Sequence, residues 1–130
     1  MLKKPIKFVD YNGVPREEVF YFNLSKVEVT EMEVSVNGGL TQYLEKIVAA
    51  QDQGQIIALF KELILKAYGE KSPDGRRFMK SPEITRAFAE TEAFTELFME
   101  FATNADAAAA FVEGILPKDM NQIEQQTKTQ

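Results

Sequence analysis

The side chains in this sequence that could carry acid–base or metal chemistry are carboxylates, because the chain contains neither histidine nor cysteine. Without these two residue types, a Ser-His-Asp triad, a Cys/His pair, an ordinary zinc site and a disulfide framework are excluded. Glu96 and Glu100 stand one helical turn apart and could share a proton or a metal ion. Because a hydrolase needs carboxylates that face each other across a cleft, we interpret this pair as the solvated face of a helix. The sequence predicts no catalytic residue, metal site or cofactor.

A small basic group is the next candidate site. Arg76, Arg77 and Lys80 could contact phosphate, since guanidinium groups bind it through two parallel hydrogen bonds. Only Phe78 places an aromatic ring among them, however, and no helix-turn-helix pattern follows. Gly38-Gly39 lacks the lysine and the serine of a phosphate-binding loop. We interpret the basic group as a solvated loop and the glycines as a linker.

Composition and charge describe a soluble protein whose two halves differ. The chain has 130 residues, of which 45% are apolar and 27% charged, as expected for one globular domain. Its net charge is −5, with 12 basic and 11 acidic groups in residues 1–82 but 3 and 9 in residues 83–130. The acidic half argues against a nucleic-acid partner, which would be bound through Lys and Arg. The apolar runs are too short to span a membrane and the N-terminus does not resemble a signal peptide, so we expect a cytoplasmic protein without a membrane partner.

Residues 52–69 are predicted to form the central helix of the core. Their apolar positions recur at steps of three and four, which is the period of one helical face. Asp52 is the expected N-cap, and Gly69 is the residue expected to end the helix. The predicted apolar face consists of Ile56, Phe60, Leu63, Ile64, Ala67 and Tyr68.

The N-terminal segment predicts a β-hairpin over residues 6–22. Two extended, apolar-rich runs flank Asn12-Gly13, which is a strong turn signal. An isolated hairpin is marginally stable in water, so this one must pack on the helices. Alternation within the second run leaves two inward-facing pairs open: Phe20 with Phe22, or Val19 with Tyr21.

Capping and turn signals predict the remaining elements. Ser25 and Glu28 form a capping box for a short helix over residues 26–34. A turn at residues 72–75 has the proline and the glycine that its backbone angles require. A further helix is predicted over residues 40–48. Another begins at Ser81-Pro82, and a break in it at residues 90–92 is left open. The last is predicted over residues 107–112, with Thr103 and Asp106 as its cap and Gly114 and Pro117 as its stop signals.

Together these elements predict a mainly α fold, a bundle of about five helices with an N-terminal β-hairpin. Residues 1–117 are expected to form a single helical domain that includes the hairpin over residues 6–22. Residues 118–130 are polar with few apolar side chains, which predicts a disordered tail.

Aromatic residues crowd the acidic half and provide the candidate partner-binding surface. Residues 94–101 place large apolar side chains around more of a helix than one core contact can cover. Some of them could therefore face a partner helix, since amphipathic segments bind in hydrophobic grooves. Each is also an ordinary core residue, because a buried Phe or Met stabilises a fold by about 1.5–3 kcal/mol. Both interpretations stay open for the set, which is Phe94, Leu97, Phe98, Met99 and Phe101.

Several collinear runs also resemble one known protein family. They are FYFNLSK at 20–26, GGL at 38–40, FKE at 60–62, AYGEKS at 67–72, DGRRF at 74–78, ELFME at 96–100 and ATNAD at 102–106. Together they are similar to the tail assembly chaperones of long-tailed bacteriophages, most closely to those of siphophages of Gram-positive hosts. The likeness covers nearly all of residues 8–117, and none of its motifs is catalytic.

The resemblance implies a non-enzymatic chaperone that binds the tape measure protein and keeps it soluble until the tail tube assembles. It also implies that the chain is absent from the finished virion. The tape measure protein is thus the expected partner, and self-association stays open. The alternative function is a structural tail or head–tail connector protein of the virion. A magnesium-dependent hydrolase is disfavoured, because no set of carboxylates has the spacing of a shared metal site.

Overall fold

The computed structural model of the chain describes residues 1–35 and 53–117. Within these ranges it forms an α+β fold with four strands and five helices. The strands are β1 (Leu2–Val9), β2 (Pro15–Phe22), β3 (Tyr68–Lys71) and β4 (Phe78–Met79). The helices are α1 (Lys26–Ser35), α2 (Gln53–Ala67), α3 (Pro82–Ala89), α4 (Glu92–Thr103) and α5 (Ala105–Ile115). The prediction of a helical bundle is therefore wrong, because a four-stranded antiparallel sheet forms a large part of the fold.

The sheet has the strand order β1-β2-β3-β4, and every neighbouring pair is antiparallel. The predicted hairpin is confirmed and is longer than predicted, with Leu2 opposite Phe22 at its open end. Strand β2 then pairs with β3 through Tyr21 opposite Gly69 and Phe22 opposite Tyr68. The central helix predicted over residues 52–69 therefore ends at Ala67, two residues earlier than expected, and Tyr68 and Gly69 begin strand β3.

The helix prediction failed at Tyr68 because an apolar residue at this position fits both the continuation of a helical face and the buried face of a strand. It lies four residues after Ile64, which continues a helical face, and it also belongs to the buried face of the sheet. The ring of Tyr68 stacks on Phe88 with the centroids 4.0 Å apart and the planes 10° apart. This contact spans 20 residues of sequence, so local periodicity does not reveal it.

Both predicted turns are present, and each contains a glycine with positive φ. Gly13 has a φ of 79° in the β1–β2 turn, where the Asp10 carboxylate accepts hydrogen bonds from the backbone N–H groups of Asn12 and Val14. Gly75 has a φ of 76° in the β3–β4 turn. Ser72 organises this second turn, since its Oγ accepts a hydrogen bond from the N–H of residue 77 at 3.0 Å. Side chains other than glycine adopt this backbone region at a steric cost.

The predicted caps of α1 and α3 are confirmed. In the α1 capping box, Glu28 Oε1 accepts from the Ser25 N–H at 2.9 Å, and Ser25 Oγ accepts from the Glu28 N–H at 3.1 Å. Ser81 caps α3 in the same manner by accepting from the Ile84 N–H. The open question of a break is settled, because α3 ends at Ala89 and Thr91 caps a separate helix, α4.

The prediction for the last helix is wrong in two details. Its N-cap is one residue later than Thr103, and Gly114 does not end the helix. Asn104, not Thr103, is the N-cap of α5, and its Oδ1 accepts from the Ala107 N–H at 3.1 Å. Thr103 Oγ1 instead donates to the Met99 carbonyl. Gly114 lies inside α5, where an added Cβ would sit 3.0 Å from Leu2. This glycine therefore lets α5 approach β1 closely instead of ending the helix.

The core lies against one face of the hairpin, which we call the inner face. Ile6 and Phe22 are 5% and 0% exposed, and the Phe22 ring makes edge contacts with Phe88 of α3 and Phe111 of α5. Helix α4 also packs on β1. The predicted helix over 40–48, the Asp52 cap and the predicted tail at 118–130 lie outside the described residues. In the ranges that are described, no helix has the length and the apolar character needed to cross a membrane.

Candidate interaction surfaces

The predicted partner-binding set lies on α4, and the structure divides it into buried and accessible residues. Phe94, Leu97 and Phe101 are buried, with 9%, 1% and 6% of their surface exposed. Phe98 is partly buried, and Met99 is 51% exposed. A partner that binds the folded chain can therefore reach Met99 and the edge of Phe98, whereas the other three side chains belong to the core.

Helix α4 buries apolar side chains on more than one of its sides because it packs on several neighbouring elements. It contacts β1, α3 and α5. The ring centroid of Phe101 lies 4.7 Å from that of Phe111 on α5 and 5.6 Å from that of Phe60 on α2. The ring of Phe94 meets Phe88 of α3 at 5.6 Å. The excess of apolar residues on this helix is thus largely used inside the fold.

The carboxylates of α4 form a row next to the hairpin. Glu100 Oε1 accepts a hydrogen bond from Lys4 Nζ at 3.1 Å, in an ion pair that is partly exposed. At the other end of the row, a hydrogen bond to Glu92 raises the pKa of Tyr11. Glu96 stands between them and has no ion-pair partner among the described residues. The described residues contain no group of acidic side chains that could hold a metal ion.

A second candidate surface is the other side of the hairpin, which we call the outer face. Its side chains alternate with the inner ones along both strands. They are Lys3, Pro5, Lys7 and Val9 in β1, and Pro15, Glu17, Val19 and Tyr21 in β2. All of them are exposed except Tyr21, which is partly buried; Val9 and Val19 are 53% and 44% exposed. The outer face therefore combines exposed apolar side chains with two lysines and with Glu17, which lies opposite Lys7 in the register.

Sequence reasoning did not identify the outer face as an interaction surface. The structure places Phe20 and Phe22 on the inner face, so Val19 and Tyr21 point to the other side. Successive strand residues point to opposite faces, so a strand with large apolar residues at both odd and even positions must expose one set unless another layer covers it. The presence of such residues at adjacent positions of β2 is the sequence signal that could have identified this surface.

The structure separates the members of the basic group. Arg76 and Arg77 are exposed in the β3–β4 turn, whereas Lys80 is partly buried at the edge of the core. Lys80 Nζ donates to the carbonyls of Asn23 at 2.7 Å and Lys66 at 2.9 Å and to Glu28 Oε2 at 2.6 Å. Burial lowers the pKa of Lys80 more than the Glu28 carboxylate raises it. Burial also raises the pKa of Glu28, but hydrogen bonds from Lys80 and Ser25 outweigh it and the net shift is downward. Lys80 therefore joins three segments of the fold and is not available as a phosphate ligand.

Comparison with known proteins gives the family. A family model described as phage tail assembly chaperone matches residues 1–130, which is the whole sequence. Neither a curated protein nor a solved structure matches the chain. Such a family implies a role in assembly through binding of phage tail proteins, as opposed to catalysis. The chain belongs to the phage tail assembly chaperone family.

Proposed function

We propose that this chain binds the tape measure protein of its phage in the host cytoplasm and keeps it soluble until the tail tube assembles. The observation that supports the proposal most strongly is the family match over all 130 residues. A tape measure protein exposes long apolar helical stripes before the tube surrounds it. Such stripes aggregate in water unless another surface covers them.

The proposed binding surface is the accessible part of α4. Met99 is 51% exposed beside the partly buried Phe98, and an apolar helical stripe could pack on both. Glu96 and Glu100 flank Met99 in the sequence and favour hydration of the surface when it is empty. The net charge of −5 would keep complexes apart through like-charge repulsion. In this proposal, the buried Phe94, Leu97 and Phe101 position the helix.

Co-expression with the tape measure protein from the same phage tests the function and the site together. We expect the wild-type chain to increase the soluble fraction of the tape measure protein several-fold. The Met99→Ser variant should lose most of this effect, because it removes the exposed apolar contact. Val27→Ser is the matched control, since Val27 is 66% exposed and belongs to a different helix, α1.

The outcomes separate the function from its site. If the tape measure protein is equally soluble without the chain, the proposed function is wrong. If Met99→Ser and Val27→Ser both keep wild-type activity, the function stands and the α4 surface is wrong. Mass spectrometry of purified particles tests the alternative, since a structural tail or head–tail connector protein would be present in virions in stoichiometric amounts.

A further inference from the structure

We propose that a short acidic segment of a partner protein binds at the β3–β4 end of the sheet, on the same side as the outer face. We call this surface the basic–aromatic patch, and it consists of Tyr21, Lys71, Arg76, Arg77 and Phe78. Helix α4 packs on the opposite, inner side of the hairpin. The patch is therefore separate from the surface proposed for the tape measure protein, and the inference does not depend on that function.

The register of the sheet places both rings and Lys71 on one side of three adjacent strands. Tyr21 lies opposite Gly69, and Lys71 lies opposite Phe78. Alternate residues of a strand share a face, so Gly69 and Lys71 join the two pairs into one surface. Lys71 Nζ lies 5.9 Å from the centroid of the Tyr21 ring, and a Cβ on Gly69 would lie 2.6 Å from the Phe78 ring. The missing side chain at Gly69 therefore leaves room for the Phe78 ring next to Tyr21.

The two arginines are exposed in a turn whose backbone is held by internal hydrogen bonds. Ser72 is 7% exposed, its Oγ accepts from the Arg77 N–H at 3.0 Å, and its own N–H donates to the Arg77 carbonyl at 2.9 Å. Asp74 Oδ1 accepts from the Ser72 hydroxyl at 2.7 Å and from the Arg76 N–H at 3.1 Å. Because the backbone at both arginines is ordered before a partner arrives, binding costs less conformational entropy.

The local charge at this end of the sheet is opposite in sign to the charge of the whole chain. Residues 71–80 contain four basic side chains and one acidic side chain, a balance of +3, whereas the chain carries −5. Lys80 is paired inside the fold. In the part of the chain that the structure describes, Lys71, Arg76 and Arg77 have no ion-pair partner. Carboxylates of a partner would complement these three cations, and each guanidinium group can bind a carboxylate through two parallel hydrogen bonds.

The dimensions of the patch favour a peptide over a nucleic acid. Its three strands lie about 4.8 Å apart, so the patch is about 10 Å across and matches roughly three extended residues. A nucleic acid gains affinity from many phosphate contacts along its length. Beyond the patch it would meet a chain whose remaining residues carry −8, which is the difference between −5 and +3. A short segment with a few Asp or Glu residues instead brings all of its charge to the patch.

The two rings add a second requirement for the partner segment. Tyr21 and Phe78 are both partly buried, so each keeps part of its surface accessible beside the cations. Tyr and Arg are among the residue types that contribute most to binding at protein interfaces. We therefore expect the segment to carry an aromatic side chain between its carboxylates.

Fluorescence anisotropy of labelled peptides, titrated with the full chain, tests the proposal. The acidic probe is Gly-Glu-Glu-Phe-Glu-Glu-Gly, and the neutral probe has Gln in place of every Glu. We expect the acidic peptide to bind at least about tenfold more tightly than the neutral one, and to bind more weakly when salt screens the charges. Alanine in place of the phenylalanine of the acidic peptide should weaken binding several-fold, because the contact with the rings is lost.

Charge reversal in the chain tests the location of the site. The double variant Arg76→Glu/Arg77→Glu should weaken binding of the acidic peptide by at least about tenfold, because it brings like charges together at the patch. Lys7→Glu/Lys61→Glu is the matched control, since it makes the same change in net charge at two exposed lysines outside the patch. Its affinity for the acidic peptide should stay close to that of the wild type. Circular dichroism melts show whether each variant is folded.

Equal affinity for the acidic and the neutral peptide would overturn the proposal, and so would undiminished binding by a folded Arg76→Glu/Arg77→Glu variant. Equal losses in this variant and in the control would show that net charge, and not the patch, attracts the peptide, which also overturns it. A single-stranded oligothymidylate that binds the chain more tightly than the acidic peptide does would contradict the proposed class of partner. None of these results depends on whether the chain solubilises the tape measure protein.

Discussion

Both faces of the β1–β2 hairpin carry large apolar side chains, but their surroundings are opposite. On the inner face, Phe22 is fully buried and its ring touches rings from three other elements. On the outer face, Val9 and Val19 are about half exposed, and Lys7 lies opposite Glu17 across the two strands without an ion pair among the described residues. The comparison suggests a division of roles between faces of the same strands. Substitutions on the inner face should lower stability, whereas substitutions on the outer face should leave it nearly unchanged.

The largest expected effect comes from the inner face. Phe22→Ala removes a ring that lies 5.3 Å from Phe111, 5.7 Å from Tyr68 and 5.8 Å from Phe88. Because the site is surrounded by other elements, we expect a loss of about 3–5 kcal/mol in the free energy of unfolding. Urea denaturation measures this loss. A loss below about 1 kcal/mol would show that the aromatic cluster does not form the core.

The second effect concerns the ion pair at the margin of the core. Glu28→Gln leaves the Lys80 ammonium partly buried with two carbonyls and no carboxylate, and should lower stability at pH 7 by about 1–3 kcal/mol. The pKa of Glu28 is lowered in the folded chain, so its contribution is present above the ordinary value of 4.5 and is lost as the pH falls through the folded value. The difference between wild type and variant should therefore shrink in acid.

Urea denaturation at pH 7 and in acid measures this dependence. Glu31→Gln, an exposed change on the same helix, is the control and should have little effect at either pH. A difference between Glu28→Gln and wild type that stayed constant with pH would contradict the role of the charge.

Which features the sequence could predict depends on how far apart in the chain the interacting residues lie. Asn12-Gly13, the Ser25–Glu28 capping box and the turn at 72–75 depend on residues close in sequence, and all three are present. Pairing of β2 with β3 joins Tyr21 with Gly69, which are 48 positions apart, and Phe22 with Tyr68, which are 46 positions apart. No local period distinguishes this strand from the end of a helix. The fold class was missed for that reason.

The candidate surfaces were only partly predictable because exposure depends on packing between elements. On α4, the sequence gives the positions of Leu97 and Met99 but not that β1, α3 and α5 surround the helix and leave only one side accessible. Likewise, Thr103 and Asn104 are both good N-cap residues, and only the backbone path selects Asn104. The outer face needed the sheet register before its lysines and valines could be placed together.

A smaller effect is expected where β3 meets β4. A Cβ on Gly69 would lie 2.6 Å from the Phe78 ring and 3.0 Å from the Met79 carbonyl oxygen. Gly69→Ala therefore requires the ring and the strand to shift, which should cost about 1–2 kcal/mol. Adding Phe78→Leu should recover part of that loss, and a double-mutant cycle measures the coupling. Purely additive losses would indicate that the ring is not the obstacle.

The smallest effect on stability is expected on the outer face itself, and it provides the most direct comparison. Val19→Thr keeps the shape and the strand preference of the side chain but adds a hydroxyl to a residue that is 44% exposed. We expect the free energy of unfolding, measured by urea denaturation, to stay within about 0.5 kcal/mol of wild type. Val29→Thr makes the same chemical change at a residue that is 1% exposed on α1, and should lower stability by about 1–3 kcal/mol because the hydroxyl is then buried. If Val19→Thr destabilised the chain as much as Val29→Thr, the outer face would belong to the core and would not be an accessible surface.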